Sequence, residues 1–334
     1  MHMPDGYINL ATSAGAGVTA AGGLGAILHR VRTTLSERQI PLAGLAAAFI
    51  FVVQMLNFPV AAGTSGHLLG GALVAILLGP WVGAIVISVV LLLQALLFAD
   101  GGISALGLNV LNMGLIAVFV AWLVFRAVTA VLPKTAASVV SAAAVAAWAS
   151  VVAASGGFVA EYALGGAGRV PVSTVFGAMV GVHALIGIGE GLITASVLAA
   201  VLAVRPDLVH GARVLGVRRA VAVSLDRRAV TAFVLAGLTS ALLLVVVVAP
   251  HASSAPDALE RIAAADGNSG PGQTSLAAGS PLAHYGVAGV ADAGVGTIVA
   301  GVIGLVATFG AGGAVLLVSS RRAARTARSE PTLP

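Results

Sequence analysis

LLGGALVAILLGPWVGAIVISVVLLLQALLF, residues 68–98, is apolar almost throughout and is broken once, at Gly79–Pro80–Trp81. A helix crossing a bilayer needs about 20 apolar residues. The break therefore divides the block into a short descending helix over 68–79 and a returning one over 81–98. Further apolar runs fall at 8–29, 40–57, 105–125, 136–160, 172–203, 229–249 and 295–319. This predicts an all-α, polytopic transmembrane bundle with seven spans in its core and two more near the C-terminus.

Composition points the same way. Of the 334 residues, 59% are hydrophobic and 9% charged, with a mean hydropathy of +1.05, whereas soluble domains carry about 25% charged residues. The 43 glycines, with abundant alanine, suit helices packed closely in lipid. The chain has no cysteine, so a metal site must use nitrogen and oxygen rather than thiolate.

The net charge of +5 does not mark a nucleic-acid partner, because the basic residues sort by membrane side. Arg30, Arg32 and Arg38 follow the first span, and Arg126 and Lys134 the fifth. Arg205, Arg213, Arg218, Arg219, Arg227 and Arg228 follow the seventh, and Arg321, Arg322, Arg325 and Arg328 the ninth. Nine crossings place all of these on one side and leave only Arg169 and Arg261 on the other. By the positive-inside rule the N-terminus is then outside and the C-terminus cytoplasmic, as expected for a multi-pass plasma-membrane protein of prokaryotic type. No basic n-region precedes the first span and no A-x-A cleavage site follows the polar lead, so the terminus is expected to be retained. Three parts are expected: a compact unit at 1–203, a basic cytoplasmic linker at 204–228, and a two-span part at 229–334. The polar loop 250–290 of that last part is either disordered or docked on the first unit.

The polar lead itself, MHMPDGYIN at 1–9, carries a possible ligand set. The α-amine of Met1, the amide nitrogen of the Met1–His2 peptide and the His2 imidazole can close two adjacent chelate rings on one divalent ion. A fourth nitrogen completes the square-planar field that suits Ni(II) or Cu(II), with Co(II) less rigid. His67 is the best candidate for it. The bland alternative is a mobile, solvated terminus.

Three other stretches carry polar groups at membrane depth. GTSGHLLGG, 63–71, brings His67 in on a Gly-rich loop, with Thr64 and Ser65 placed to hold the imidazole tautomer; Ser65 is equally a helix N-cap. QALLFADGGISALGLNVLNMG, 94–114, offers Gln94, Asp100, Asn109 and Asn112. These either fold a loop over the site or bind helices together. GVHALIGIGEGLIT, 181–194, sets His183 and Glu190 two turns apart on one helix face. Glu190, as an intramembrane carboxylate, is a functional candidate, or pairs structurally with His183 or an Asn. His29 and His210 are expected to be solvated among arginines, and His251 and His284 to be exposed.

No G-x-x-x-x-G-K-[ST] is present, so this chain does not cradle ATP phosphates. Neither H-E-x-x-H nor G-x-S-x-G occurs, which removes the commonest hydrolase readings.

MHMPDGY, GTSGHLLGGALVAILLGPW, ADGGISALGLNVLNMG and GVHALIGIGEGLIT together resemble the CbiM/NikM family, the substrate-binding membrane components of energy-coupling factor (ECF) transporters for cobalt and nickel. The C-terminal part is similar to the CbiN/NikN-type or PDGLE module, with P-D-G-L-E standing as Pro256–Asp257–Ala258–Leu259–Glu260 and S-P-L-A-x-Y-G running from Ser280 to Gly286. The resemblance implies that Ni(II) or Co(II) is the transported substrate, held by the amine of Met1, the amide and imidazole of His2, and His67. It further implies a cytoplasmic ABC ATPase pair and a transmembrane coupling (T) component as partners.

Two other functions compete with uptake of nickel or cobalt. An ATP-independent channel or secondary carrier for a divalent cation would line a polar path with Glu190, but the spans hold few charges for a proton relay. An intramembrane metalloenzyme needs an open metal position and a general base. A planar nitrogen site offers neither.

Overall fold

The computed structural model describes residues 2–35, 39–61, 63–217, 227–265 and 275–329. Met1, Arg38, Arg218 and Arg219 lie outside that set. The chain runs through α1 (Leu10–Thr34) and α2 (Gln39–Met55) into a small antiparallel hairpin, β1 (Phe58–Pro59) with β2 (Ser65–Gly66), in which Phe58 faces Gly66. There follow α3 (Gly71–Leu78), α4 (Pro80–Leu97), α5 (Leu106–Val131), α6 (Ala136–Gly165), α7 (Val172–Val204) and the short α8 (His210–Val214). The last third is α9 (Arg228–His251), α10 (Ala258–Ala265) and α11 (Ala293–Ser329). Among the described residues seven helices are long and apolar enough to cross a membrane, and α2 is a slightly shorter apolar helix.

The pass expected at 68–79 takes an unusual form. Only α3 is helical, and its eight residues rise about 12 Å, against a hydrocarbon core of about 30 Å. The rest of the pass is extended chain in which every residue from Thr64 to Gly70 is buried. Gly70 has φ +76°, which stops the helix from extending backward. Non-helical backbone at this depth is tolerated only when its polar groups are satisfied by protein, and Glu190 of α7 does so: its two carboxylate oxygens accept the N–H groups of Leu69 and Gly70, each at 2.7 Å. Gln54 of α2 donates to the Leu69 carbonyl at 2.7 Å. The reversal into α4 is made by Gly79 at φ +90° and Pro80 in the first turn, where a missing N–H costs nothing.

Small residues set the helix packing. In the long α6–α7 pair, Gly187 lies on the backbone of Trp148 and Gly191 on that of Ala144. The last helix is seated on α2: Phe51 fills the space where Gly304 has no side chain, and Phe309 does the same above Gly44. The described parts of loop 250–290 are docked. Ser253 N donates to Asn57 O at 2.8 Å, Ser65 N to Pro256 O at 2.9 Å, and His284 N to Phe98 O at 2.7 Å. The helix after Pro256 opens with a capping box: Asp257 Oδ1 accepts from Glu260 N and Glu260 Oε2 from Asp257 N, both at 2.8 Å. That gives the P-D-x-L-E run a physical reason, and position 258 needs no glycine, since Ala258 is an ordinary helical residue packed in the core.

Candidate metal centre

The N-terminal segment is threaded into the bundle rather than free. Met3 is buried; its N–H donates to Asn109 Oδ1 at 2.8 Å, and its carbonyl accepts from Asn109 Nδ2 at 3.2 Å and from Gly102 N at 2.8 Å. Asp5 takes the N–H and hydroxyl of Ser104 on one oxygen and Leu276 N on the other. These hydrogen bonds outweigh burial and hold its carboxyl below the usual range. Asn9 caps α1, while Asn9 N reaches Gly165 O at 2.7 Å and Ala167 N reaches Tyr7 O at 3.0 Å. The terminus is thus pinned to α5, to the end of α6 and to the C-terminal loop.

This pinning carries His2 to His67. The two rings stack with centroids 4.8 Å apart and planes at 26°, and both side chains are about 5% exposed. Two nitrogens bound to one ion at about 2 Å lie roughly 3 to 4 Å apart, so neighbouring rings at this spacing can share an ion. His67 Nδ1 lies 2.9 Å from the Leu68 carbonyl. A carbonyl only accepts, so the proton is on Nδ1 and Nε2 carries the lone pair. Neither Thr64 nor Ser65 sets this tautomer, contrary to the expectation: Thr64 Oγ1 bonds to Ala61 O, and Ser65 Oγ to Ala255 O. Both hydroxyls serve backbone carbonyls of the loops that frame the site.

The ring of His2 belongs to a closed cycle of contacts. Nε2 is 3.2 Å from Gln94 Oε1, Gln94 Nε2 is 3.1 Å from Tyr285 Oη, Tyr285 Oη is 2.5 Å from Asp100 Oδ2, and Asp100 Oδ1 is 3.1 Å from His2 Nδ1. With Asp100 a carboxylate, Tyr285 must donate to it, Gln94 must donate to Tyr285, and His2 must donate to Gln94 from Nε2. The lone pair of a neutral His2 is then on Nδ1, facing a carboxylate oxygen. Only a cation settles that contact: a proton or a metal ion. Burial drives His2 down to about 3 from an ordinary 6.5, which disfavours the proton. Nδ1 is also the nitrogen that closes a six-membered chelate ring with the residue's own amide.

Around this pair Gln94, Asp100 and Asn109 all act on the terminus. Glu190 holds the loop of His67, and Gly66 approaches Ile186 of the same helix so closely that a side chain there would collide. His183 is buried on α7 but donates to Met179 O at 2.7 Å, so the considered His183–Glu190 pairing is replaced by two separate backbone contacts. Asn112 donates to Glu161 Oε2 at 2.6 Å, a helix-to-helix bond. His29, His251 and His284 are exposed. His210 is not solvated as expected: its ring lies 5.4 Å from that of Trp122, tilted by 47°, and covers Gly79, and burial lowers it to about 4. Sequence reasoning passed over Asp5, Gln54, Glu161 and Tyr285. Each lay where a signal could be read: Glu161 is a carboxylate one residue beyond the expected span at 136–160, Gln54 is a polar group inside the span 40–57, and Asp5 and Tyr285 stand in the M-H-M-P-D-G-Y and S-P-L-A-x-Y-G runs.

Residues 2–208 match the family described as the cobalt uptake substrate-specific transmembrane region, and residues 231–321 match the PDGLE domain. A protein of Archaeoglobus fulgidus provisionally named as a fused nickel transport protein, NikMN, is 39% identical over 218 residues, covering 63% of this chain and 68% of that one. The cobalt transport protein CbiM of Geobacter sulfurreducens is 34% identical over 216 residues, covering 62% and 61%. A crystal structure of a truncated transition metal transporter is similar at a TM-score of 0.55 and 31% identity, over 61% of this chain and 99% of the other.

Proposed function

The chain belongs to the family of the cobalt uptake substrate-specific transmembrane region, multi-pass membrane proteins of metal transport rather than enzymes, and on that premise we propose that it is the substrate-binding membrane component of an ECF-type importer of Ni(II) or Co(II). The ion is held by the amine of Met1, the amide nitrogen and Nδ1 of His2, and Nε2 of His67. The observation that carries this reading is the contact cycle of His2, Gln94, Tyr285 and Asp100, which sets the lone pair on Nδ1 beside the stacked ring of His67. A nitrogen field of this kind favours Ni(II) over Co(II) on intrinsic affinity, while the relatives are named for one ion or the other.

Residues 1–203 serve as the metal-binding unit, 204–228 as a cytoplasmic linker, of which 218–226 lie outside the described residues, and 229–334 as an accessory unit whose loop covers the clamp. The clamp faces outward and the arginine-rich end inward. Energy comes from an ABC ATPase pair and a coupling membrane protein. A channel or secondary carrier gains no support from Glu190, whose two oxygens are occupied by the backbone of the His67 loop.

The test is equilibrium binding of nickel, cobalt, zinc and copper to the purified, untagged protein, comparing wild type with His2→Ala and His67→Ala. One Ni(II) or Co(II) bound tightly by the wild type, and lost in both variants, is the expected result. Unchanged binding by both variants would place the site elsewhere.

A further inference from the structure

One buried carboxylate is not used by the clamp. Glu161 of α6 is 7% exposed and Asn112 of α5 2% exposed. Their mutual bond occupies Asn112 Nδ2 and Glu161 Oε2. Among the described residues, neither Glu161 Oε1 nor Asn112 Oδ1 has a hydrogen-bond donor. Buried acceptor oxygens cost free energy unless a donor or a cation meets them.

The local backbone places Asn112 against α6, and Glu161 at the wall of a groove. Asn112 lies in the stretch Val110–Ile116 of α5, which is wound as a π-helix, a form that recurs at functional sites. Its amide oxygen occupies the space above Gly157, where a side chain would collide with it. Glu161 then lines a groove of about 480 Å³ between α1 and α6, whose other walls include Thr12, Gly15, Thr19 and Leu111. Thr12 is in the first turn of α1 and Glu161 in the last turns of α6, so the groove lies just inside the end of the bundle that holds the clamp. It is also coupled to the clamp by position: one turn before Asn112, on the same helix, Asn109 brackets Met3.

We propose that Glu161 and Asn112 form a second, weaker cation site, which takes a hydrated divalent ion on oxygen ligands and stages it beside the clamp. An all-oxygen set with room for water suits a hard divalent ion and holds a late transition metal only loosely. That is the behaviour wanted of a place the cargo visits before a tighter nitrogen site. The staging role rests on the metal-uptake reading; the site itself does not.

The probe is Mn(II), titrated by electron paramagnetic resonance into the full-length protein carrying His67→Ala, so that the nitrogen clamp is disabled. One Mn(II) is expected to bind. Adding Glu161→Gln is expected to weaken it at least about tenfold, the equivalent of one lost charge-assisted contact. Asn112→Asp, which keeps Glu161 and adds a carboxylate, is expected to tighten it and guards against a variant that merely misfolds. With His67 intact, Glu161→Gln is expected to slow Ni(II) loading in stopped flow. No Mn(II) binding to the His67→Ala protein, or binding indifferent to both Glu161→Gln and Asn112→Asp, would overturn the site. Failure of the clamp itself would appear separately, as Ni(II) binding indifferent to His2→Ala.

Discussion

Two imidazoles do the work attributed to the site, and each is prepared by one oxygen. For His67 that oxygen is a neighbouring carbonyl; for His2 it is the amide of Gln94, itself oriented by a tyrosine from the far end of the chain. Tyr285→Phe removes the donor to Asp100 and the acceptor for Gln94. It is expected to lower nickel affinity about 10- to 100-fold, the range typical of residues that orient metal ligands, without altering stoichiometry. Isothermal titration checks this, and an unchanged affinity would count against the tautomer argument. Burial also makes the metal-free protein sensitive to acid. Above about pH 6.5 His2 is neutral whether folded or not. As pH falls from 6.5 toward 3 the unfolded chain gains a proton that folded His2 refuses until about 3, so stability drops through that window. Thermal unfolding should show the apo protein less stable at about pH 5 than near neutrality, with a shallower slope in His2→Ala.

At the level of elements, the half-helix α3 and the extended chain before it are held by α7 and α2 rather than by their own propensities. Glu190→Gln can accept only one of the two N–H bonds and turns an amide toward the other. A lost bond to a buried charged group costs about 1.5–3 kcal/mol. Both the melting temperature and the metal affinity should fall, because the loop that weakens carries His67. A second element-level test lies between α2 and α11. A methyl group on Gly304 would meet the ring of Phe51, and overpacking of this kind costs about 1–3 kcal/mol. Gly304→Ala should lower the melting temperature while leaving metal stoichiometry at one. The spans themselves were legible because lipid demands long apolar runs, and His2 and His67 because few residue types make a nitrogen site. A short helix ending at Gly79 was legible from the break at Gly79–Pro80, but its late start was not, since the extended chain before it is held by a carboxylate more than a hundred residues away. Tyr285 and Asp5 stand in the runs that carry the resemblance, but their roles were not legible, since their partners are fixed only by the tertiary fold.

The whole molecule has two ends of different character. One gathers the terminus, the loops at 56–70 and 98–105 and the described parts of 250–290. The other carries exposed arginines such as Arg30, whose guanidinium lies 4.8 Å over Trp81, and the paired Arg205 and Asp207. The chain has no cysteine, so single cysteines report sidedness without background. A membrane-impermeant maleimide should label His284→Cys in intact cells and His29→Cys only after permeabilisation; the reverse pattern would invert the topology. The central claim is that the first atom of the chain is a metal ligand, and it is tested by lengthening the chain by one residue. Nickel affinity should be measured on the untagged protein and on a form with a single glycine before Met1, both with verified N-termini. The account predicts that the extended protein folds and loses tight binding, because its amine is carried out of the chelate plane. Equal affinity in the two proteins would contradict it.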